Sequence, residues 1–72
     1  MKRWNACEAR HIAQHMGGPL CWCRRERGLC VVGKVQVGGL VVLGQGTHWR
    51  AAFESAGIIL TADQFYELTA EL

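Results

Sequence analysis

Residues 20–43 read LCWCRRERGLCVVGKVQVGGLVVL, and the fold turns on how this stretch is read. Much of it alternates with the two-residue period of half-buried strands, and glycines break it into three. Gly38-Gly39 between apolar runs suits a two-residue hairpin turn, because both positions accept positive φ. Arg25-Glu26-Arg27-Gly28 closes the earlier hairpin, with Gly28 able to turn left-handed. The expectation is a three-stranded antiparallel meander over 20–24, 29–37 and 40–43. That register sets Arg24 opposite Leu29, Cys23 opposite Cys30 and Trp22 opposite Val31. Alternation gives one side Trp22, Leu29, Val31, Val35, Val37, Leu40 and Val42, read as the core face. Cys21, Cys23, Cys30, Val32, Lys34, Gln36, Val41 and Leu43 take the other, which is half apolar and so partly covered. Gly33, in mid-strand, marks a bulge or a close backbone approach.

Helical patterns flank the meander. Residues 3–16 read as a helix stopped by Gly17-Gly18-Pro19, with Ala6, Ala9, Ile12, Ala13 and Met16 on its apolar arc. Thr47 is placed to cap a helix running to Ala56, whose face is Trp49, Ala52, Phe53 and Ala56 and whose stop is Gly57. Ile58-Ile59-Leu60 is a short buried strand or connector. Thr61-Ala62-Asp63-Gln64 is a capping box, followed by Phe65, Leu68, Thr69 and Leu72 on one face. The fold class is α+β, and residues 1–72 form a single small domain: an N-terminal helix, the meander and two short C-terminal helices.

Size and charge narrow the function. A chain of 72 residues is too short for a doubly wound nucleotide-binding sheet or a barrel. The net charge is only +2, but it is divided. All eight cations lie in residues 1–50, where Glu8 and Glu26 alone oppose them; residues 51–72 hold four acids and no cation. Such a dipolar chain steers toward acidic surfaces or nucleic acid, or pairs with itself. Residues 4–16 are too mixed for a secretory signal, and no apolar run is long enough to span a membrane. A cytoplasmic protein with reduced cysteines is expected, with no membrane association.

Metal-capable side chains form the first constellation. Cys7, His11 and His15 step by four along the first helix, and Cys23 and Cys30 are expected cross-strand neighbours. Cross-strand Cβ atoms stand roughly 4.5–5.5 Å apart, close enough for two thiolates to share a tetrahedral zinc. If the first helix covers that face, Cys7, His11, Cys23 and Cys30 would close a structural zinc site. The spacing matches no common finger, so no cofactor is expected and a zinc-stabilised domain is the alternative.

Leu40 to Trp49 runs from a strand through Gly44-Gln45-Gly46 toward a helix and resembles the opening of a dinucleotide-binding fingerprint. Trp49 stands where the third glycine would let helix and strand approach. The basic hairpin tip, Arg24, Arg25 and Arg27 beside Trp22, is suited to gripping phosphates and stacking on a base. Residues 57–68, GIILTADQFYEL, resemble the final segment of the single-stranded-DNA coactivator family, which implies a curved four-stranded sheet before a last helix. No nucleophile sits on an elbow or helix start and no carboxylates converge, so no enzyme is expected.

The expectation is therefore a small non-catalytic protein-binding module that blocks a host or phage macromolecule. In size and charge asymmetry the chain resembles the accessory and inhibitor proteins of phages and mobile elements, anti-CRISPR and host-takeover proteins among them. Its anchor would be an exposed aromatic, Trp4 or Tyr66, beside Arg24, Arg25 and Arg27. The alternative is a nucleic-acid-binding module using the basic hairpin. A homodimer fits either role, since a second copy could cover the half-apolar sheet face.

Overall fold

In a computed structural model, which describes residues 3–17 and 21–72, the chain opens on a reciprocal helix cap. The Asn5 side chain accepts from the Glu8 backbone N–H (2.8 Å), and Glu8 accepts from the Asn5 N–H (2.9 Å). This capping box starts α1 (Ala6–Gly17), three residues later than the pattern predicts. Lys2, Gly18, Pro19 and Leu20 lie outside the described residues.

Three antiparallel strands follow, β1 (Cys21–Glu26), β2 (Leu29–Gln36) and β3 (Gly39–Gly46), with β2 in the middle. Two helices, α2 (Trp49–Ser55) and α3 (Ala62–Thr69), complete the α+β architecture. Among the described residues the sheet has three strands, not the four implied by the coactivator resemblance, and residues 49–55 are helix.

The first hairpin corrects the expected register. Its turn is only Arg27-Gly28, both at positive φ (53° and 80°), as a two-residue hairpin loop requires. Arg25 and Glu26 therefore belong to β1. Glu26 faces Leu29, Arg25 faces Cys30 and Cys23 faces Val32. The slip is two residues, so every side chain keeps its face while Cys23 and Cys30 become diagonal neighbours.

The β2–β3 ladder carries a bulge. Gly33 faces Val42 but Val32 faces Gly44, leaving Leu43 as the extra residue. Beyond it the parity of β3 reverses, so Gly44 and Gly46 fall on the face shared by Val32 and Cys30. There α2 lies against the strand. A Cβ on Gly44 would sit 2.5 Å from the Ala56 nitrogen and 2.6 Å from the Ala52 oxygen. Backbone meets backbone at this position, and only glycine fits.

The covered face is thus the cysteine face, opposite to the one predicted. Cys30 and Val32 pack with Ala9, Ile12 and Ala13 of α1, Trp49, Ala52 and Phe53 of α2, and Phe65 of α3. Trp4 and Leu60 close the cluster, and Cys23 packs at its edge. The expected apolar arc of α1 holds at Ala9, Ile12 and Ala13, while Ala6 is exposed.

Local signals end the helices as the sequence suggests, with one change. The N-cap of α2 is His48, whose Nδ1 accepts from the Ala51 N–H at 3.3 Å, and not Thr47. A Schellman pattern stops α2: Ile58 donates to the Phe53 carbonyl and Gly57, at φ 87°, to that of Glu54. Residues 58–60 are a connector, not a strand. Thr61 and Gln64 form the capping box of α3. Thr61→Ala is expected to cost about 1 kcal/mol, read as a lower urea midpoint at an unchanged slope.

Candidate functional site

With three helices on one face, the other face of the sheet is left bare. By register it carries Trp22, Arg24, Val31, Val35, Leu40 and Val42, of which Val31 is buried beneath its neighbours on that face. Trp22 is half-buried because its indole lies on Gly33, whose Cα leaves only 2.7 Å between a built Cβ and the ring. A side chain at Gly33 would also strike the Val41 carbonyl oxygen. Gly33 thus combines both features expected of it, a bulge beside it and a close approach. The Arg24 guanidinium stands 5.1 Å from the Trp22 ring centroid and bonds Glu26 at 2.9 Å. Both ends of that ion pair are half-exposed, so it contributes little to stability; the ring contact orients Arg24.

Away from the helices the β2–β3 hairpin becomes an apolar arm. Val35, Leu40 and Val42 are 45 %, 56 % and 53 % exposed on the bare face, and Val41 and Leu43 are exposed as well. Val37, at its tip, is fully exposed. This run lies along β3, an edge strand. Leu40-Val41-Val42-Leu43 contains no charge, proline or bulge until Leu43 itself, whereas the other edge, β1, carries Arg24, Arg25 and Glu26. Charged residues blunt an edge against pairing; an uncharged apolar edge invites it. A shallow depression of about 330 Å³ lined by Glu26, Arg27, Leu29, Val31, Val42 and Gln45 connects the arm to the basic tip.

The predicted binding residues separate. Arg24, Arg25 and Arg27 are exposed at one end of the sheet, and Tyr66 is half-exposed on α3. Tyr66 lines a separate cleft of about 460 Å³ with Asn5, Cys7 and Glu8. Trp4 is not exposed. It is 4 % accessible, stacked on Phe65 (centroids 5.0 Å apart) and edge-on to Phe53 (5.2 Å). It is a core residue because its ring fills the space between Phe53 of α2 and Phe65 of α3, immediately before the Asn5 cap.

The four zinc candidates do not converge. Cys30 is buried in the core and Cys23 half-buried beside it, while Cys7 is exposed on the outer side of α1. The helix does lie on the cysteine face, but through Ala9, Ile12 and Ala13. Among the described residues no three His, Cys, Asp or Glu side chains gather as metal ligands. The phosphate-turn reading of Gly44-Gln45-Gly46 also falls. These residues are strand, and α2 fills the space a phosphate would need.

The edge run was the surface missed by sequence reading. Its signal was four consecutive apolar residues, which alternation assigned half to a core face and half to its reverse. No helix among the described residues is long and apolar enough to cross a membrane. No protein-family model, curated protein or solved structure matches the chain.

Proposed function

We propose that this protein is a non-catalytic binding module that docks a protein partner on the apolar β2–β3 arm and bare sheet face. The observation that carries this reading is the uncharged edge Leu40-Val41-Val42-Leu43, exposed beside Val35 and Trp22. An extended partner strand added to that edge would gain main-chain hydrogen bonds, and the sheet face would select its side chains. Arg24 and Arg27 form the rim and favour an acidic partner surface. Occupying a partner in this way, in the cytoplasm, is the mode of the small phage and mobile-element inhibitors that the chain resembles in size and charge.

The nucleic-acid reading rests on Arg24, Arg25 and Arg27 alone, with Glu26 among them. The two readings part experimentally. Tagged protein is incubated with lysate of its native host, with and without nuclease, and compared with Leu40→Asp and with Arg25→Ala/Arg27→Ala. The expected result is a stoichiometric protein that survives nuclease and 0.5–1 M salt (about one Debye length of 3 Å at the upper end) and is lost in Leu40→Asp. Capture that is nuclease-sensitive, unaffected by Leu40→Asp and lost in the arginine variant would overturn it in favour of nucleic acid. Position 40 is exposed, so circular dichroism should show the same fold in all variants.

A further inference from the structure

The outer side of α1, on the far side of the molecule from the bare sheet face, carries His11, Gln14 and His15. From the arrangement of its two histidines we infer a bidentate site for a divalent transition-metal ion.

Spacing brings the ligands together. Residues four apart on a helix are surface neighbours, and two histidines so placed can share one ion. Here the rings stand 4.2 Å apart between centroids, tilted by 43°. An ion about 2.0–2.1 Å from each nitrogen needs those nitrogens roughly 3 Å apart. Rings this close reach that by rotation about their own side-chain bonds.

A second observation concerns the tautomer. His15 Nδ1 lies 3.1 Å from the His11 carbonyl oxygen. A carbonyl only accepts, so Nδ1 carries the proton and donates. That leaves the Nε2 lone pair of His15 as the coordinating atom. A ring N–H held by a carbonyl is the arrangement that orients metal-bound imidazoles and raises their basicity.

The surroundings define the class of ion. Position 12, where a zinc hydrolase of this spacing has its glutamate base, is Ile12 and buried in the core. The site therefore binds without a built-in base. Arg10 shares a shallow depression with Cys7, His11 and Gln14, so coordination and not net charge must hold the ion. Imidazole nitrogens then favour copper, nickel, cobalt and zinc over calcium and magnesium. The protein supplies two coordination positions and leaves the others open.

The test is titration of the reduced, chelator-washed protein with NiCl2, followed by calorimetry and by nickel-induced broadening of histidine ring signals in NMR spectra. One equivalent should bind, with broadening confined to His11 and His15 and none at His48. Either His11→Gln or His15→Gln should weaken binding by at least about tenfold, since a chelate becomes a single ligand. Cys7→Ser should bind as the parent does, and CaCl2 should give no heat. Both histidines are surface positions and glutamine is a good helix former, so the variants should fold. Binding unchanged in both histidine variants, binding lost in Cys7→Ser, or no saturation below 1 mM (about −4 kcal/mol) would overturn the assignment.

Discussion

Trp4→Ala is expected to lower the stability of this protein by about 3–5 kcal/mol, the usual cost of deleting a buried large aromatic. Trp4 lies between Phe65, on which it stacks, and Phe53, which it meets edge-on, and both phenylalanines are fully buried. Removing the indole empties the contact that joins α2 to α3. Domains of this length hold roughly 0.05–0.15 kcal/mol per residue, about 4–11 kcal/mol in all, so the loss is a large fraction. The expected observation is a urea transition, followed by circular dichroism, displaced to far lower denaturant or already begun in buffer. Trp4→Phe should lose much less. It keeps an aromatic ring and removes Nε1, which is buried without a hydrogen-bond partner. An alanine variant as stable as the parent would show that Trp4 lies at the surface, available as a binding anchor.

Gly44→Ala is expected to cost about 3 kcal/mol or more, the upper end of what overpacking produces. The new methyl would meet the Ala56 nitrogen and the Ala52 oxygen, and no side-chain rotation relieves a clash between backbones. Either α2 lifts from β3 or the bulge at Leu43 shifts. Gly46→Ala should be milder, since its closest contacts, the Ala51 Cβ and the Ala52 nitrogen, lie at 2.9 Å against 2.5 Å and 2.6 Å at Gly44. Thermal unfolding of the two variants should give that order. A Gly44→Ala protein within about 0.5 kcal/mol of the parent would mean that α2 does not rest on this strand.

Most elements were legible in the chain because their signals are local. The Thr61–Gln64 box and the Gly57 stop each act over four or five residues and perform as read. Gly38 takes positive φ as expected, but the second hairpin turns one residue early, on Val37-Gly38, so Gly39 joins β3 opposite Gln36 and Leu40 faces Val35 instead of Val37. The Asn5–Glu8 box was equally local and could have placed the start of α1 from the Asn-x-x-Glu spacing. The hairpin slip came from counting four residues in a turn that needs two. Trp22 could be placed beside Gly33 only once that slip was known.

The covered face is a different kind of question. Alternation correctly separated the side chains of β1 and β2 into two sets, but both sets are apolar enough to be buried. A period of two cannot choose between them. The choice rests on how closely a helix backbone can approach, and on β3 that is decided by Gly44 and Gly46. Those glycines reach the cysteine face only because the bulge at Leu43 reverses the strand's parity. The sequence by itself determined the elements, their order, the α3 capping box and the α2 stop, since each follows from neighbours along the chain. Tertiary structure alone decided the buried face, the fate of Trp4 and the exposure of the β3 edge, because those depend on which surfaces meet across the fold.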